Sequence, residues 1–207
     1  MSQKPHQPAD RGQATRDAVL DAAERLMSRK GYSGTGMAEL IKESGVPSSS
    51  IYWHFSSKAG VLAAVMERGE TAFLEAVVAA QADDSVTEPR ERLRAVIAGS
   101  VRAVLDHPSF LRLYLAFTMG VEGEASVREQ VRHVRARGIA GLRGNLADAY
   151  RAWGEERAGR VAGRLLPLAL AFFDGTFISA QAGEVDDPGP LIVDAVDALH
   201  AVALSME

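Results

Sequence analysis

The sequence predicts an all-α protein of about nine helices, a three-helix head followed by a larger helical body. Three observations carry that expectation. Apolar residues recur three and four apart through most of the 207 residues, the period of one helix face. No segment sustains the apolar–polar alternation of a half-buried strand. Gly and Pro gather between the periodic segments, where helices stop and start.

The opening MSQKPHQPADRGQA is polar and carries Pro5, Pro8 and Gly12, so residues 1–14 read as a flexible arm. Thr15 is a candidate N-cap with Asp17 in the first turn. Val19, Ala22, Ala23, Leu26 and Met27 then recur at helical spacing until Gly31. A second helix fits Met37–Ser44, with Met37, Leu40 and Ile41 inward and Thr35 or Gly36 at its start. Gly45 turns the chain sharply, as a residue without Cβ allows. A third helix fits Ser48 to about Phe55, with Ile51 and Phe55 inward. A fourth runs from Lys58 to about residue 80 on Val61, Leu62, Val65, Met66, Phe73 and Val77.

In the body, Asp83–Glu88 reads as a loop, and Thr87 is placed to cap a helix over about 88–106 with Pro89 in its first turn. His107-Pro108-Ser109 breaks it. Phe110–Met119 is short and apolar, about 126–153 is arginine-rich, and Arg157–Ala182 contains Pro167, expected to kink it. After the break at 186–190, Leu191–Ser205 closes the chain on Ile192, Ala195, Val196, Leu199 and Val202. The expected organisation is an arm (1–14), a head (15–58), a connecting helix (about 58–80) and a ligand-binding and dimerisation body (81–207).

Composition narrows the function. Hydrophobic residues make 47% and charged residues 24%, ordinary for a globular protein. There are no cysteines, which removes disulfides and thiolate chemistry and suits a reducing cytoplasm. No apolar signal core follows Met1, and the charge-free apolar run Leu165–Phe173 is far short of the ~20 residues that span a bilayer. A cytoplasmic protein with no membrane partner is expected. His6, His54, His107, His133 and His200 are scattered, with no HExxH, no GxSxG and no phosphate-binding glycine loop. No catalytic residue, metal or cofactor is expected. The net charge is −4, but residues 1–68 hold nine Lys/Arg against seven Asp/Glu, and the rest fourteen against twenty. A mildly basic head on an acidic body turns one end toward phosphate.

The segment GYSGTGMAELIKESGVPSSSIYWHFSSKAGVL (31–62) is the most informative. Its order of short helix, tight Gly45-Val46-Pro47 turn and second short helix suits a helix-turn-helix whose second helix enters the major groove of DNA. That helix would project Ser48, Ser49, Ser50, Tyr52, Trp53 and His54. A core position for Tyr52 or Trp53 is the competing reading, since indoles are usually largely buried.

The segment resembles the TetR family of one-component bacterial repressors. The resemblance rests on the long first helix TRDAVLDAAERLMSRKGY, on AELIKESGV and on IYWHFSSKAGVL, above all on Tyr52, His54 and Phe55 followed by Lys58. It covers about residues 15–65. The chain departs from the family at Gly36, where a second Thr or Ser is usual, at Ser49, usually glycine, at Ile41, usually alanine, and at Ala59-Gly60, where an acidic residue is common. The resemblance implies phosphate contacts from Thr35, Tyr52, His54 and Lys58. Ser48, Ser49 and Ser50 could reach base edges or phosphates, Trp53 a sugar or thymine methyl, and Lys42 a further DNA contact. The third helix lacks Arg, Lys, Asn and Gln, the residues that pair bidentately with purines. Shape-dependent specificity is therefore expected.

Residues 165–182 are apolar almost all round and need partners on two sides. A four-helix bundle built from about 160–182 and 190–205 of two copies would supply them, giving a homodimer on twofold operator DNA. Phe110, Leu113, Tyr114, Phe117, His133, Trp153, Phe172, Phe173 and Phe177 are candidate lining residues for a small-molecule effector. The expected function is a homodimeric repressor released from its operator by that effector. The alternative is a ligand-independent DNA-binding or protein-interaction module on the same fold.

Overall fold

The computed structural model describes residues 8–79, 83–119 and 125–206. Among them are nine α-helices and one 3₁₀ turn, with no strand. The helices are α1 (Pro8–Lys30), α2 (Met37–Ser44), α3 (Ser48–Phe55), α4 (Lys58–Ala79), α5 (Pro89–Asp106), α6 (Pro108–Thr118), α7 (Ala125–Ala149), α8 (Glu155–Gln181) and α9 (Gly189–Leu204). The 3₁₀ turn is Arg151–Trp153.

Helix α1 corrects the expected arm. It starts at Pro8, seven residues before Thr15; residues 1–7 of that arm lie outside the described residues. A proline in a first turn lacks only an N–H that the helix would leave unpaired anyway. Gln13 Nε2 then donates to Asp17 Oδ1 at 2.9 Å, a pair one turn apart on the helix surface.

The start of α2 falls to Gly36, in extended conformation and with no side-chain cap. Gly45 ends α2 in the left-handed region at φ 66°, and its N–H donates to Ile41 O at 3.0 Å. A residue with a Cβ would be strained there. The N-cap of α5 is Glu88 and not Thr87. Its carboxylate accepts from Glu91 N–H at 2.7 Å, with Pro89 in the first turn. Standing one residue nearer the helix, it also carries the charge a helix N-terminus favours. Pro167 stands inside α8 without ending it.

The chain divides into two compact units, and α4 and α7 each contribute to both. The first holds the residues through Glu70 together with Ser109–Val134. Here α1 packs on α2 and α3. Leu26, Met27, Tyr32, Leu40, Val46, Ile51 and Phe55 are buried as their spacing predicts, while Ile41 is half-buried. Each such side chain contributes roughly 1.5–3 kcal/mol of burial, enough to hold helices too short to persist alone. Arg68 of α4 reaches Asp21 and Glu24 of α1, both at 2.7 Å. Helix α6, expected with the body, belongs to this unit. Its Phe117 ring lies 6.0 Å from that of Tyr32. Phe110 sits so close to Gly69 that a Cβ there would fall 2.5 Å from the ring.

The second unit holds Thr71–Pro108 and Arg135–Glu207. Helices α5, α8 and α9 pack on one another around Leu93, Ile97, Val161, Leu165, Val196 and Leu199. Arg92, only 3% exposed, donates to the carbonyl oxygens of Asp83, Val86 and Asp148 at 3.2, 2.8 and 3.2 Å. It also pairs with the Asp148 carboxylate. By length and composition α8 reaches the span of a bilayer, which the shorter run Leu165–Phe173 did not suggest. Its buried positions Val161, Leu165, Ala169 and Phe173 recur every four residues, the face of a helix set into a protein core.

Candidate nucleic-acid interface

Helix α3 has two faces of opposite character. Ile51 and Phe55 are buried in the first unit. Ser48 and Ser49 are exposed, Ser50 and His54 half-exposed, Tyr52 is 49% exposed and Trp53 80%. The core reading of Tyr52 and Trp53 is thereby set aside. Each serine stands four residues before a ring, so Ser48 shares a face with Tyr52, Ser49 with Trp53 and Ser50 with His54. The His54 ring meets the Trp53 indole edge-on, with centroids 4.6 Å apart and planes at 82°. Pro47 gives α3 no side-chain cap, so its first N–H groups are open to an acceptor.

An open cleft of about 390 Å³ lies beside this face. Gly12 and Thr15 of α1 line it together with Ser49, Ser50, Trp53 and His54. Sequence reasoning missed both because it starts the first helix at Thr15, which leaves Gly12 in the arm and gives Thr15 only a capping role. The signal that could have found them is Pro8 in a first-turn position.

Two expected phosphate contacts are turned inward. Thr35 is 1% exposed, and its hydroxyl donates to Gly31 O at 2.9 Å. Lys58 Nζ donates to the carbonyl oxygens of Tyr32 and Thr35 at 2.8 and 2.9 Å and lies 4.1 Å from the centroid of the Tyr32 ring. Both residues close the α1–α2 connection, which engages the Thr35 hydroxyl and two of the three Lys58 ammonium N–H groups. At the start of α4, the Ser57 hydroxyl accepts from Gly60 N–H at 3.0 Å. Other cations of the head are also engaged. Arg25 pairs with Glu43 at 3.4 Å, Lys30 with Glu39, and Arg16 lies over the Phe55 ring at 5.6 Å. Lys42, in the last turn of α2, is exposed.

The nine candidate effector residues are not gathered in one unit. Phe110, Leu113, Tyr114, Phe117 and His133 fall in the first and Trp153, Phe172, Phe173 and Phe177 in the second. His133 is exposed, so within its unit it faces no apolar enclosure. Phe110, Leu113 and Phe117 are buried core of the first unit. The Trp153 ring is occupied: Tyr150 lies 4.7 Å and His200 6.3 Å from it by centroids, and the Arg157 guanidinium 4.3 Å away. Tyr150 OH and His200 Nδ1 share a hydrogen bond of 3.1 Å. Burial, with the Glu88 charge second, pushes the Tyr150 pKa up and keeps the phenol protonated. Two polar groups of the second unit escaped sequence reasoning. Ser100 Oγ is buried with no hydrogen-bond partner among the described residues. Asp174 is half-buried, and burial raises its pKa against the opposing charge of Arg135.

Among the described residues no group of His, Cys, Asp and Glu could hold a metal ion. What the first unit offers is a face of hydroxyls and rings on a short helix, without a carboxylate, lysine or arginine of its own.

Residues 19–65 match the pattern of the bacterial regulatory proteins of the tetR family. An uncharacterised HTH-type transcriptional regulator of Mycobacterium tuberculosis is 32% identical over 123 residues, 59% of this chain and 60% of that protein. The HTH-type transcriptional regulator BetI of Rhizobium meliloti is 31% identical over 163 residues, 79% of this chain and 76% of its own length. A solved structure from Streptomyces avermitilis, assigned as a TetR transcriptional regulator, is 30% identical. It superposes with a TM-score of 0.65 over 91% of this chain and 97% of that one. The chain spans about three-fifths of the length of the Mycobacterium relative it matches.

Proposed function

The chain belongs to the TetR family of bacterial regulatory proteins, and from that premise we propose that it is a DNA-binding transcriptional regulator, a homodimeric repressor released from its operator by a small-molecule effector. The observation that carries the reading is the division of α3. Ile51 and Phe55 anchor it while Tyr52 and Trp53 stand in solvent, the arrangement a recognition helix needs to enter a major groove. Lys42, Tyr52 and His54 supply phosphate contacts, and Ser48, Ser49 and Ser50 contact base edges or phosphates. With no bidentate residue on α3, DNA shape carries part of the specificity.

One head binds weakly, and two heads on a twofold site remedy that. Support for a dimer through about 160–182 and 190–205 comes from apolar side chains left in solvent: Leu168 and Ile178 of α8, and Leu191, Val193 and Leu204 of α9. Leu168, Ala171, Gly175 and Ile178 follow one another at spacings of three, four and three and are all exposed, as in a helix-packing seam. The effector reading draws support from Ser100 and Asp174, polar groups set among apolar helices of the second unit, which suit a small ligand with a donor or a positive charge. The effector acts by preferring the dimer state with the lower DNA affinity. The reading is of a non-enzymatic protein working in the cytoplasm.

The test is binding of the purified chain to the intergenic DNA beside its own gene at several salt concentrations. A dimer whose affinity falls steeply with salt is the expected result. Indifference to that DNA and to random duplex at low salt overturns the reading. A screen for compounds that both raise the melting temperature and release DNA separates effector control from a ligand-independent module.

A further inference from the structure

We propose that Trp53 reads the C5-methyl group of thymine in the major groove, so that this chain selects its duplex by apolar contact at A·T pairs and not by paired hydrogen bonds to purines. The inference rests on the DNA-binding reading above and adds which base chemistry is read.

The argument begins with what α3 lacks. Its eight residues are SSSIYWHF, with no side chain able to make two parallel hydrogen bonds to guanine or adenine. Serine hydroxyls donate or accept to any base and discriminate little. The major groove offers one other distinctive feature, the thymine methyl, and only apolar atoms recognise it.

Trp53 is the largest apolar surface on that face and is 80% exposed. His54 meets it edge-on at 4.6 Å, and Ser49 stands one helical turn before it. The small hydroxyl side chains of Ser49, Ser50 and Thr15, with Gly12, leave the cleft of about 390 Å³ open beside the indole. Their walls are uncharged and short, so a methyl can approach the ring without displacing a salt bridge. An arginine or lysine at any of these positions would reach past the indole to the base edge.

The experiment uses the full chain and a duplex enriched by it from a random pool. Each thymine of that duplex is replaced in turn by deoxyuridine, which removes only the methyl, and each guanine by 7-deazaguanine, which removes the N7 acceptor and so breaks any bidentate pairing with N7 and O6. Binding is read by fluorescence anisotropy at one salt concentration. The expected result is a loss of about fourfold per methyl at one or two thymines of each half-site, the effect of one buried methyl-sized group. Every 7-deazaguanine position is expected to cost less than twofold. In Trp53→Ala the thymine and uracil duplexes bind alike, and Trp53→Phe keeps part of the difference. Both variants are expected to melt as the parent does, because the side chain lies outside the core.

Uracil duplexes that bind as well as the parent overturn the inference. So does a uracil penalty that persists unchanged in Trp53→Ala, or a tenfold loss at a single 7-deazaguanine. A salt-sensitive, enriched duplex that ignores the methyl sinks the inference alone. Failure to enrich any duplex, with no salt-dependent binding, sinks the DNA-binding reading and the inference together.

Discussion

Lys58 Nζ sits 4.1 Å from the centroid of the Tyr32 ring and donates to the carbonyl oxygen of the same residue at 2.8 Å. With its second bond, to Thr35 O at 2.9 Å, the lysine fastens the α1–α2 connection to the start of α4. Charged hydrogen bonds and a cation over a ring are together worth about 1–3 kcal/mol. Lys58→Met keeps the stem and removes the charge. It is expected to lower the unfolding free energy by that amount, read from urea melts followed by the circular dichroism of the full chain. DNA binding should fall only as far as folding does. A variant of parental stability that binds DNA tenfold more weakly would return Lys58 to the phosphate contacts.

Lys42 is the contrasting case. It is exposed in the last turn of α2, so Lys42→Ala should leave the melting temperature within a degree or so. A lysine that neutralises one phosphate contributes about 0.9 to the slope of log affinity against log salt. The variant is expected to reduce the slope by about that amount per head and to weaken binding equally on all sequences. An unchanged slope would remove Lys42 from the interface.

These two lysines mark where the sequence stops speaking. Period and punctuation were sufficient for α2 and α3, whose bounds match the spacing of Leu40, Ile51 and Phe55 to the residue. They failed at α1, where Pro8 and Gly12 have the composition of a loop but positions a helix accepts. Residue type suggests Lys58 as a phosphate ligand but not its bonds to the Tyr32 and Thr35 carbonyl oxygens, because those are fixed by a fold that must form first. The same holds for Thr35. The inward spacing of Ile51 and Phe55 already turns Tyr52 and Trp53 outward, and the burial of the first pair with the exposure of the second removes the competing core reading. Most of the effector candidates are aromatics, and aromatics are as often packing as lining; the rings of Phe110 and Phe117 are packing.

Arg92 should be the most costly single loss in the second unit. It is almost fully buried and satisfies three carbonyl oxygens and the Asp148 carboxylate. Removing it leaves those acceptors to water, which reaches the half-exposed Asp148 carboxylate, so the cost is roughly 1–3 kcal/mol. Arg92→Met is expected to lower the melting temperature by about five degrees or more and Arg92→Lys by less. If Arg92→Met melts within two degrees of the parent, the clamp is not what holds the connection between α4 and α5.

Ile178 tests the proposed seam on α8. It is 58% exposed, and Ala171, Gly175 and Ala182 on the same side are also exposed. Ile178→Glu introduces a charge that a subunit interface must bury or reject. Sedimentation is expected to show a shift from dimer to monomer with little change in helix content. Binding to a twofold duplex should weaken more than a hundredfold, and binding to a half-site should be unaffected. A variant that remains dimeric would move the interface elsewhere.

Asp174 supplies a pH dependence whose sign can be worked out. Burial raises its pKa above the usual 3.8, and the attraction of Arg135 offsets this only in part. The folded chain therefore holds this proton more tightly than the unfolded chain does. The stability that comes from the protonated form is complete below the unfolded pKa and is lost as pH rises through the higher folded one. At neutral pH the native state thus carries an ionised carboxylate it would rather not bury. Asp174→Asn removes that penalty. It is expected to melt higher than the parent at pH 7, with the difference closing as the pH is lowered toward 4, in parallel thermal melts of the two proteins. A difference of the opposite sign would mean that the pull of Arg135 outweighs burial; a difference independent of pH would mean that the amide gains by packing and not by charge.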